Sequence, residues 1–205
     1  PDGNIGAVVV DKDTEGLELG EGYTNMAGHE QHELVFDGCE VPDEQILVQG
    51  KDSFKELLVE FNVERCHNAM MCVACGLNAF DRALEYARTR EQFDQPLAEF
   101  QGIEWKLADM ATKLEAARLL VYRAAANAVD DEPSRLETSI AKVFANEHCG
   151  EVVDEALQIH GANGYVEDHP LSYLYRWIRG WRIAGGTVET QRNGIAGELK
   201  KYGLD

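Results

Sequence analysis

A mainly α-helical bundle of the up-down four-helix type, following a short β region, is the fold class this sequence predicts, on three observations. Residues 53–93 contain no proline and one isolated glycine, Gly76, and they repeat apolar residues at helical spacing. Segments 100–129 and 134–159 carry the same period with short breaks between them, which makes neighbouring helices antiparallel. The first fifty residues are of another kind, with short β-prone runs among glycines at 3, 6, 16, 20, 22, 28 and 38.

Taken in order, Ala7-Val-Val-Val10 and Glu33-Leu-Val-Phe36 read as strands, and Val41-Pro42 closes the strand region. So little sheet is not stable alone; residues 1–50 are expected to be one part of a domain whose remainder is supplied elsewhere, and 51–205 the bundle. The first helix carries Leu57, Leu58, Phe61, Met70, Met71, Ala74, Leu77, Phe80, Leu84 and Ala87 on its apolar side. Asp52 or Ser53 caps its start, and the turn at Asp94-Gln95-Pro96 stops it. Some 40 residues of helix run roughly 60 Å, and such a rod needs helices beside it to cover its apolar side. The second helix carries Ile103, Leu107, Met110, Leu114, Ala117, Val121 and Ala124. After the polar loop 130–134, Ser134 and Glu137 form a capping box for a third, with Ile140, Val143, Phe144, Val152, Ala156 and Ile159. Gly161 ends it, Asn163-Gly164 turns the chain, 171–182 is a short aromatic-rich helix, and 187–202 closes the chain.

Composition narrows the function. Against 37 acidic residues stand 19 basic ones, a formal net charge of −18. Nucleic acid and anionic membrane surfaces are poor partners for such a surface. Only 8 of the basic residues are lysine, and an acidic, lysine-poor surface suits concentrated salt, where its self-repulsion is screened; a halophilic source is the expectation. No apolar run approaches the roughly 18 residues of a membrane span, and no signal peptide is visible. Five cysteines, an odd number mostly within helical patterns, fit a reduced, cytoplasmic setting. Cys72-Val-Ala-Cys75 lies mid-helix without a second pair, so it reads as two small core residues rather than a metal site.

Glu64 stands among apolar helical neighbours. Such a carboxylate either faces solvent and pairs with an arginine, here Arg65, or sits in an apolar pocket that raises its proton affinity, as a base for a weakly acidic C–H requires. With His67 it also forms an ExxH, half of a di-iron bundle motif; no second ExxH follows. Arg90 is a surface charge near a helix end or a phosphate clamp. It lies 26 positions beyond Glu64, about 39 Å along a continuous helix. One compact site could hardly use both, so if both are functional the sites are shared in an oligomer. Gln158-Ile-His-Gly-Ala-Asn-Gly-Tyr165 is a helix end and turn or a place of close backbone approach to a ligand; Ala184-Gly-Gly-Thr-Val-Glu189 is a capped helix start or a phosphate seat.

Arg90-Glu-Gln-Phe93, Phe100-Gln101, Gln158-Ile-His-Gly161 with Asn163-Gly-Tyr165, and Gly186-Thr187 with Glu189, in this order, closely resemble the C-terminal half of the acyl-CoA dehydrogenase family. Tyr86-Ala-Arg88, Ala108-Asp-Met110, Lys142, Pro170 and Arg176 match as well, and residues 7–42 resemble the end of that family's middle β-domain, a barrel or sandwich. Many members carry their catalytic glutamate directly before the Gly-Thr pair, where this chain has Gly185. The isovaleryl- and long-chain-like branch has it in an ER pair on the first long helix, which Glu64-Arg65 matches, with Asn62 where an aspartate is common. Ala162 replaces a usual glycine and Trp177 a usual aspartate.

The resemblance implies FAD-dependent conversion of an acyl-CoA thioester to its trans-2-enoyl-CoA in β-oxidation, with Glu64 as the α-proton base. It implies that Asn62, Arg65, Gly185 and Gly186 line the acyl-CoA path and that Thr187 and Glu189 meet the FAD. Arg90, Phe93, Gln101, Gln158, Ile159, His160, Gly161 and Ala162 would hold the FAD of a neighbouring subunit in a homotetramer, a dimer of dimers. An electron-transfer flavoprotein would take the electrons, and no metal is implied. A flavin-dependent oxygenase or a non-catalytic subunit on the same fold is the alternative, and a di-iron bundle protein a more distant one.

Overall fold

The computed structural model of the chain describes residues 4–130 and 132–204; Gly3 and position 131 of the polar loop lie outside the described residues. Two compact units divide between Phe61 and Asn62. In the first, β1 (Ala7–Val8) pairs antiparallel with β4 (Ile46–Val48), and β2 (Leu17–Thr24) with β3 (Glu30–Phe36). The sequence places no strand after Pro42, yet β4 follows a single 3-10 turn there, Asp43–Gln45. The register of β2 on β3 shifts between Leu19 and Gly22. At the hairpin tip Asn25 accepts from the N–H groups of Ala27 and His29. Leu19, Leu34 and Phe36 stay exposed on this ribbon.

Helix α1 (Ser53–Thr89) is unbroken and runs from the first unit into the second. Its start is secured by the Asp52 carbonyl, which accepts from Lys55 and Glu56 N–H; the Ser53 hydroxyl donates to the carbonyls of Ile5 and Gly50. Its end comes four residues before the sequence pattern suggests. Residues 90–96 turn back as a small hairpin, β5 (Glu91–Gln92) on β6 (Gln95–Pro96), with Phe93 and Asp94 both at positive φ.

The second unit is a bundle of α1 from Asn62 onward, α2 (Gln101–Ala126), α3 (Arg135–His160), α4 (Pro170–Trp181) and α5 (Val188–Tyr202). Lys106 pairs with Glu155, Lys113 with Glu151 at 2.8 Å and Arg123 with Glu137 at 3.2 Å, so α2 runs antiparallel to α3. Both α4 and α5 also run against α3. Asn146 meets the Trp181 carbonyl, while Ser139 meets Gln191. The chain therefore breaks between α4 and α5 halfway along α3, and Glu147 ties both sides of the break through Arg182 at 3.3 Å and Arg192 at 2.6 Å.

Small side chains dominate the core: Ala69, Ala79, Ala83 and Ala87 of α1 face Ala141, Ala145 and Ala156 of α3, with Met110, Leu114, Leu171 and Ile178 filling the wider spaces. A Cβ on Gly76 would stand 2.7 Å from Leu114 and 3.2 Å from Cys149 Cβ, so a larger residue would have to push both aside. Cys72, Cys75 and Cys149 are free core thiols; burial pushes Cys75 and Cys149 up to about 12. Phe61 and Leu77, counted in the apolar side, are exposed. The expected capping box does not form. Ser134 occupies the N-cap of α3 without a side-chain bond, and Glu137 meets Arg123 and Asn127 instead. No described helix is long and apolar enough to cross a membrane.

Candidate active site

The break between α4 and α5 faces the part of α1 that carries Glu64. Two consecutive glycines there, Gly185 and Gly186, hold φ of 63° and 82°, a left-handed pair that curls the backbone. Three carbonyls of this curl, Ala184, Gly185 and Gly186, accept from the ammonium of Lys142 at 2.6, 2.7 and 3.0 Å. Lys142 is fully buried on α3. Gln191 donates to the Gly186 carbonyl at 3.2 Å and accepts from Ser139 at 3.1 Å. Thr187 caps α5, accepting from Thr190 N–H at 3.2 Å.

Glu64 enters this curl from α1. A Cβ on Gly185 would lie 2.7 and 2.9 Å from the two Glu64 carboxylate oxygens and 2.9 Å from Lys142 Nζ. The space beside Gly185 is thus taken by the Glu64 carboxylate, whose Oε2 is buried without a hydrogen-bond partner. Arg65, also buried, turns to Asn62 Oδ1. The surroundings of Glu64 are not the apolar pocket that its sequence neighbours suggest. They hold two buried cations. Burial lowers the proton affinity of Lys142, with the Glu64 charge opposing and Arg65 adding to the fall; burial and then Arg135 lower that of Arg65, and Glu64 opposes. His67 is exposed, and among the described residues no three His, Cys, Asp or Glu side chains group as a metal ion requires. Exposed Glu189 is held below the usual carboxylate range by its own backbone N–H and then by the Thr187 hydroxyl.

The remaining candidate residues gather at the far end of α1 and α3. Arg90 follows the last residue of α1, its N–H on the Tyr86 carbonyl. The hairpin pushes Phe93 out until it is 89% exposed, its ring edge-on to Phe100 at 6.3 Å. Gln101, Gln158, Gly161 and Ala162 are exposed, whereas Ile159 and His160 are buried. The His160 ring stacks on Tyr86 at 4.3 Å, and its Nδ1 lies 2.8 Å from the Ala156 carbonyl. Tyr86 accepts from Asn163 at 2.8 Å, which joins the ends of the two helices. Glu64 and Arg90 are therefore separated along an unbroken helix by about 39 Å.

Sequence reasoning names Lys142 only as a matching position and leaves out Ser139, Asn146 and Gln191. The signal is there in the sequence: polar residues at 139, 142 and 146 repeat at helical spacing within an otherwise apolar face of α3.

Residues 54–200 match the model of the family described as acyl-CoA dehydrogenase, C-terminal domain. A subunit of the caffeyl-CoA reductase–Etf complex of Acetobacterium woodii is 36% identical over 199 residues, which is 96% of this chain and 52% of that protein. The 3-sulfinopropanoyl-CoA desulfinase of Paraburkholderia xenovorans is 39% identical over 201 residues, again 96% and 52%. The butyryl-CoA dehydrogenase structure from Megasphaera elsdenii superposes with a TM-score of 0.91 at 34% identity, covering 97% of this chain and 52% of that one. The chain spans about half the length of the curated relatives it matches.

Proposed function

The chain belongs to the acyl-CoA dehydrogenase family, and from that premise we propose that it carries the base and part of the cofactor seat of a flavoenzyme that converts an acyl-CoA thioester to trans-2-enoyl-CoA. The observation that carries this reading is the Glu64 carboxylate lying where a side chain at 185 would begin, with one oxygen buried and unpartnered. An acceptor without a donor, held in a buried position, is what abstraction of a C–H proton needs. Asn62 fixes Arg65 beside it, and Gly185 and Gly186 leave room for a thioester to come close to the backbone.

The residues fit the flavin cofactor of the family. Exposed Arg90 suits a pyrophosphate, exposed Phe93 offers a ring face, and Gln101, Gln158, Gly161 and Ala162 reach solvent at the same end. Ile159 and His160 would support that end from within, and Thr187 and Glu189 flank the opposite one. FAD, when bound, supplies the acceptor for the hydride from the β-carbon. The separation of the two ends along α1 supports sharing of each site between subunits, in a dimer of dimers. A relative named as part of an Etf complex supports electron-transfer flavoprotein as the redox partner. Residues 1–50 are assigned to the end of the middle β-domain, and a cytoplasmic, β-oxidising role in a halophilic source completes the reading.

Reduction of an enoyl-CoA by the same residues is the second reading, favoured by the relative named as a caffeyl-CoA reductase. The test is anaerobic mixing of the FAD-loaded protein with a panel of acyl-CoAs and of enoyl-CoAs while flavin absorbance is followed. Acyl-CoA should bleach the wild type, and Glu64→Gln should slow bleaching on the order of 10²–10⁴-fold. Equal bleaching of both proteins removes Glu64 as the base. No bleaching by any thioester overturns the dehydrogenase reading; reoxidation of reduced flavin by enoyl-CoAs alone selects the reductase, and neither reaction returns the oxygenase or non-catalytic alternative.

A further inference from the structure

Lys142 has no hydrogen to give to a substrate. Its three N–H bonds already point at three consecutive carbonyls, Ala184, Gly185 and Gly186. Those carbonyls converge because Gly185 and Gly186 are both left-handed, a backbone shape that would unwind without a donor at its focus. The curl is fastened on either side of the ammonium as well. Asn146, one turn along α3, donates to the Trp181 carbonyl, and Gln191 donates to that of Gly186. Buried Ser139, Lys142 and Asn146 thus form a polar seam that holds the α4–α5 break against α3.

Resting on the dehydrogenase reading above, we propose that Lys142 is the positioning residue of this site. It fixes the Ala184–Gly186 curl so that the space beside Gly185 receives the Glu64 carboxylate, and its charge complements that carboxylate across the curl. The groups that face Glu64 divide by element. From α3 comes the Lys142 ammonium, from α1 itself the guanidinium of Arg65, with Arg135 acting on Arg65, and from the α4–α5 break the backbone at Gly185. The Cys72 thiol, which burial keeps neutral, also lies within electrostatic range of Lys142. Among the described residues Lys142 is therefore the cation that both fixes the curl and faces the carboxylate.

The test uses the FAD-loaded protein carrying Lys142→Met, which keeps the length of the side chain and removes its charge and donors, with Lys142→Arg beside it. In Lys142→Met the rate of flavin reduction should fall on the order of 100-fold, the cost of a displacement near 1 Å. The acid limb of its pH profile should move to higher pH, since a carboxylate loses its opposite charge. Hydrogen exchange should quicken in residues 184–188 and stay unchanged in α2. Lys142→Arg retains the charge but cannot place three donors at one focus, so its acid limb should stay while its rate falls; this variant decides the matter if Lys142→Met does not fold. A folded Lys142→Met with wild-type rate, pH profile and exchange overturns the proposal. So does a slow Lys142→Met whose acid limb has not moved, because that variant reports packing alone. If no thioester bleaches the wild type, the dehydrogenase reading has failed, and the exchange arm still reads whether Lys142 holds the curl.

Discussion

Gly185→Ala is the sharpest probe of the site, because the structure separates its costs. At φ 63° any L side chain is strained, by roughly 1–2 kcal/mol. The new methyl would also stand 2.7 and 2.9 Å from the Glu64 oxygens and 2.9 Å from Lys142 Nζ, about 0.5–0.7 Å inside ordinary contact, and overpacking of this kind adds roughly 1–3 kcal/mol. Gly203→Ala isolates the first cost, since Gly203 has φ 79° and open space around it. Gly186→Ala adds a clash that leaves Glu64 alone: at φ 82° its methyl meets the buried Gln191 amide nitrogen at 2.7 Å. Thermal melts should place both Gly186→Ala and Gly185→Ala below Gly203→Ala. For a chain of this size each kcal/mol is roughly 2–4 °C, so Gly185→Ala should melt roughly 4–20 °C below wild type. Flavin reduction assayed well below all the melting points should discriminate further. Only Gly185→Ala forces the Glu64 carboxylate back, and a displacement of that size costs on the order of 10–100-fold. Were Gly185→Ala to melt and turn over like Gly203→Ala, the carboxylate would not occupy that space and the assignment of Glu64 would fall.

Burial, only partly offset by the bond to Ala156, lowers the proton affinity of His160 below its ordinary value, with His169 and Arg82 adding to the fall. A histidine depressed in the folded state contributes stability above its unfolded value of about 6.5 and loses it as pH falls through the lower folded value. Melting temperature should therefore drop as pH is lowered below about 6.5, and His160→Gln should flatten that slope; parallel curves would exclude His160 as the cause. Arg90→Ala and Phe93→Ala remove exposed side chains, so melting of the cofactor-free protein should change by less than about 0.5 kcal/mol. FAD binding, followed by flavin fluorescence, should weaken on the order of 10-fold or more for Arg90→Ala, the worth of a charge-assisted contact. Undiminished affinity in both variants would remove this end of the bundle from the cofactor seat.

The long helices were legible because their apolar period is strong and unbroken: α1, α2 and α3 each end within a few residues of where that pattern fails. What escaped the pattern depends on contacts between distant residues. The hairpin after Thr89 arises because Phe93 and Asp94 take positive φ, a choice that no run of apolar residues encodes. Strand β4 forms because β1 lies alongside it, not because Ile46–Val48 looks unlike other short apolar runs. The Ser134–Glu137 box has the right spacing and does not form; Glu137 meets Arg123 and Asn127, on another segment, instead. At the site, Glu64 is visible as an anomaly on α1, whereas Lys142 shows only as a matching position and one of three polar residues within the apolar face of α3. Its role appears only when the three carbonyls it serves are brought to it from more than forty residues away.

If Glu64 is the base as proposed, that dependence would let the position of the base differ between chains of one fold. The proposed chemistry needs an oxygen at one point beside the curl, and two elements reach that point: residue 185 from the curl itself and residue 64 from α1. They cannot both fill it, since a Cβ at 185 already collides with the Glu64 carboxylate. A glutamate at 64 therefore requires glycine, or a local rearrangement, at 185. The curl has to persist without help from a side chain of its own, and in this chain the Lys142 ammonium and the Gln191 amide hold it from outside. A swap of the two positions, Glu64→Gly with Gly185→Glu, asks whether that holding is sufficient. If the curl is rigid, the double variant places a carboxylate near the same point and recovers part of the flavin reduction that Glu64→Gly loses. If it recovers none while folding normally, the point beside the curl is set by α1 rather than by the Lys142 seam.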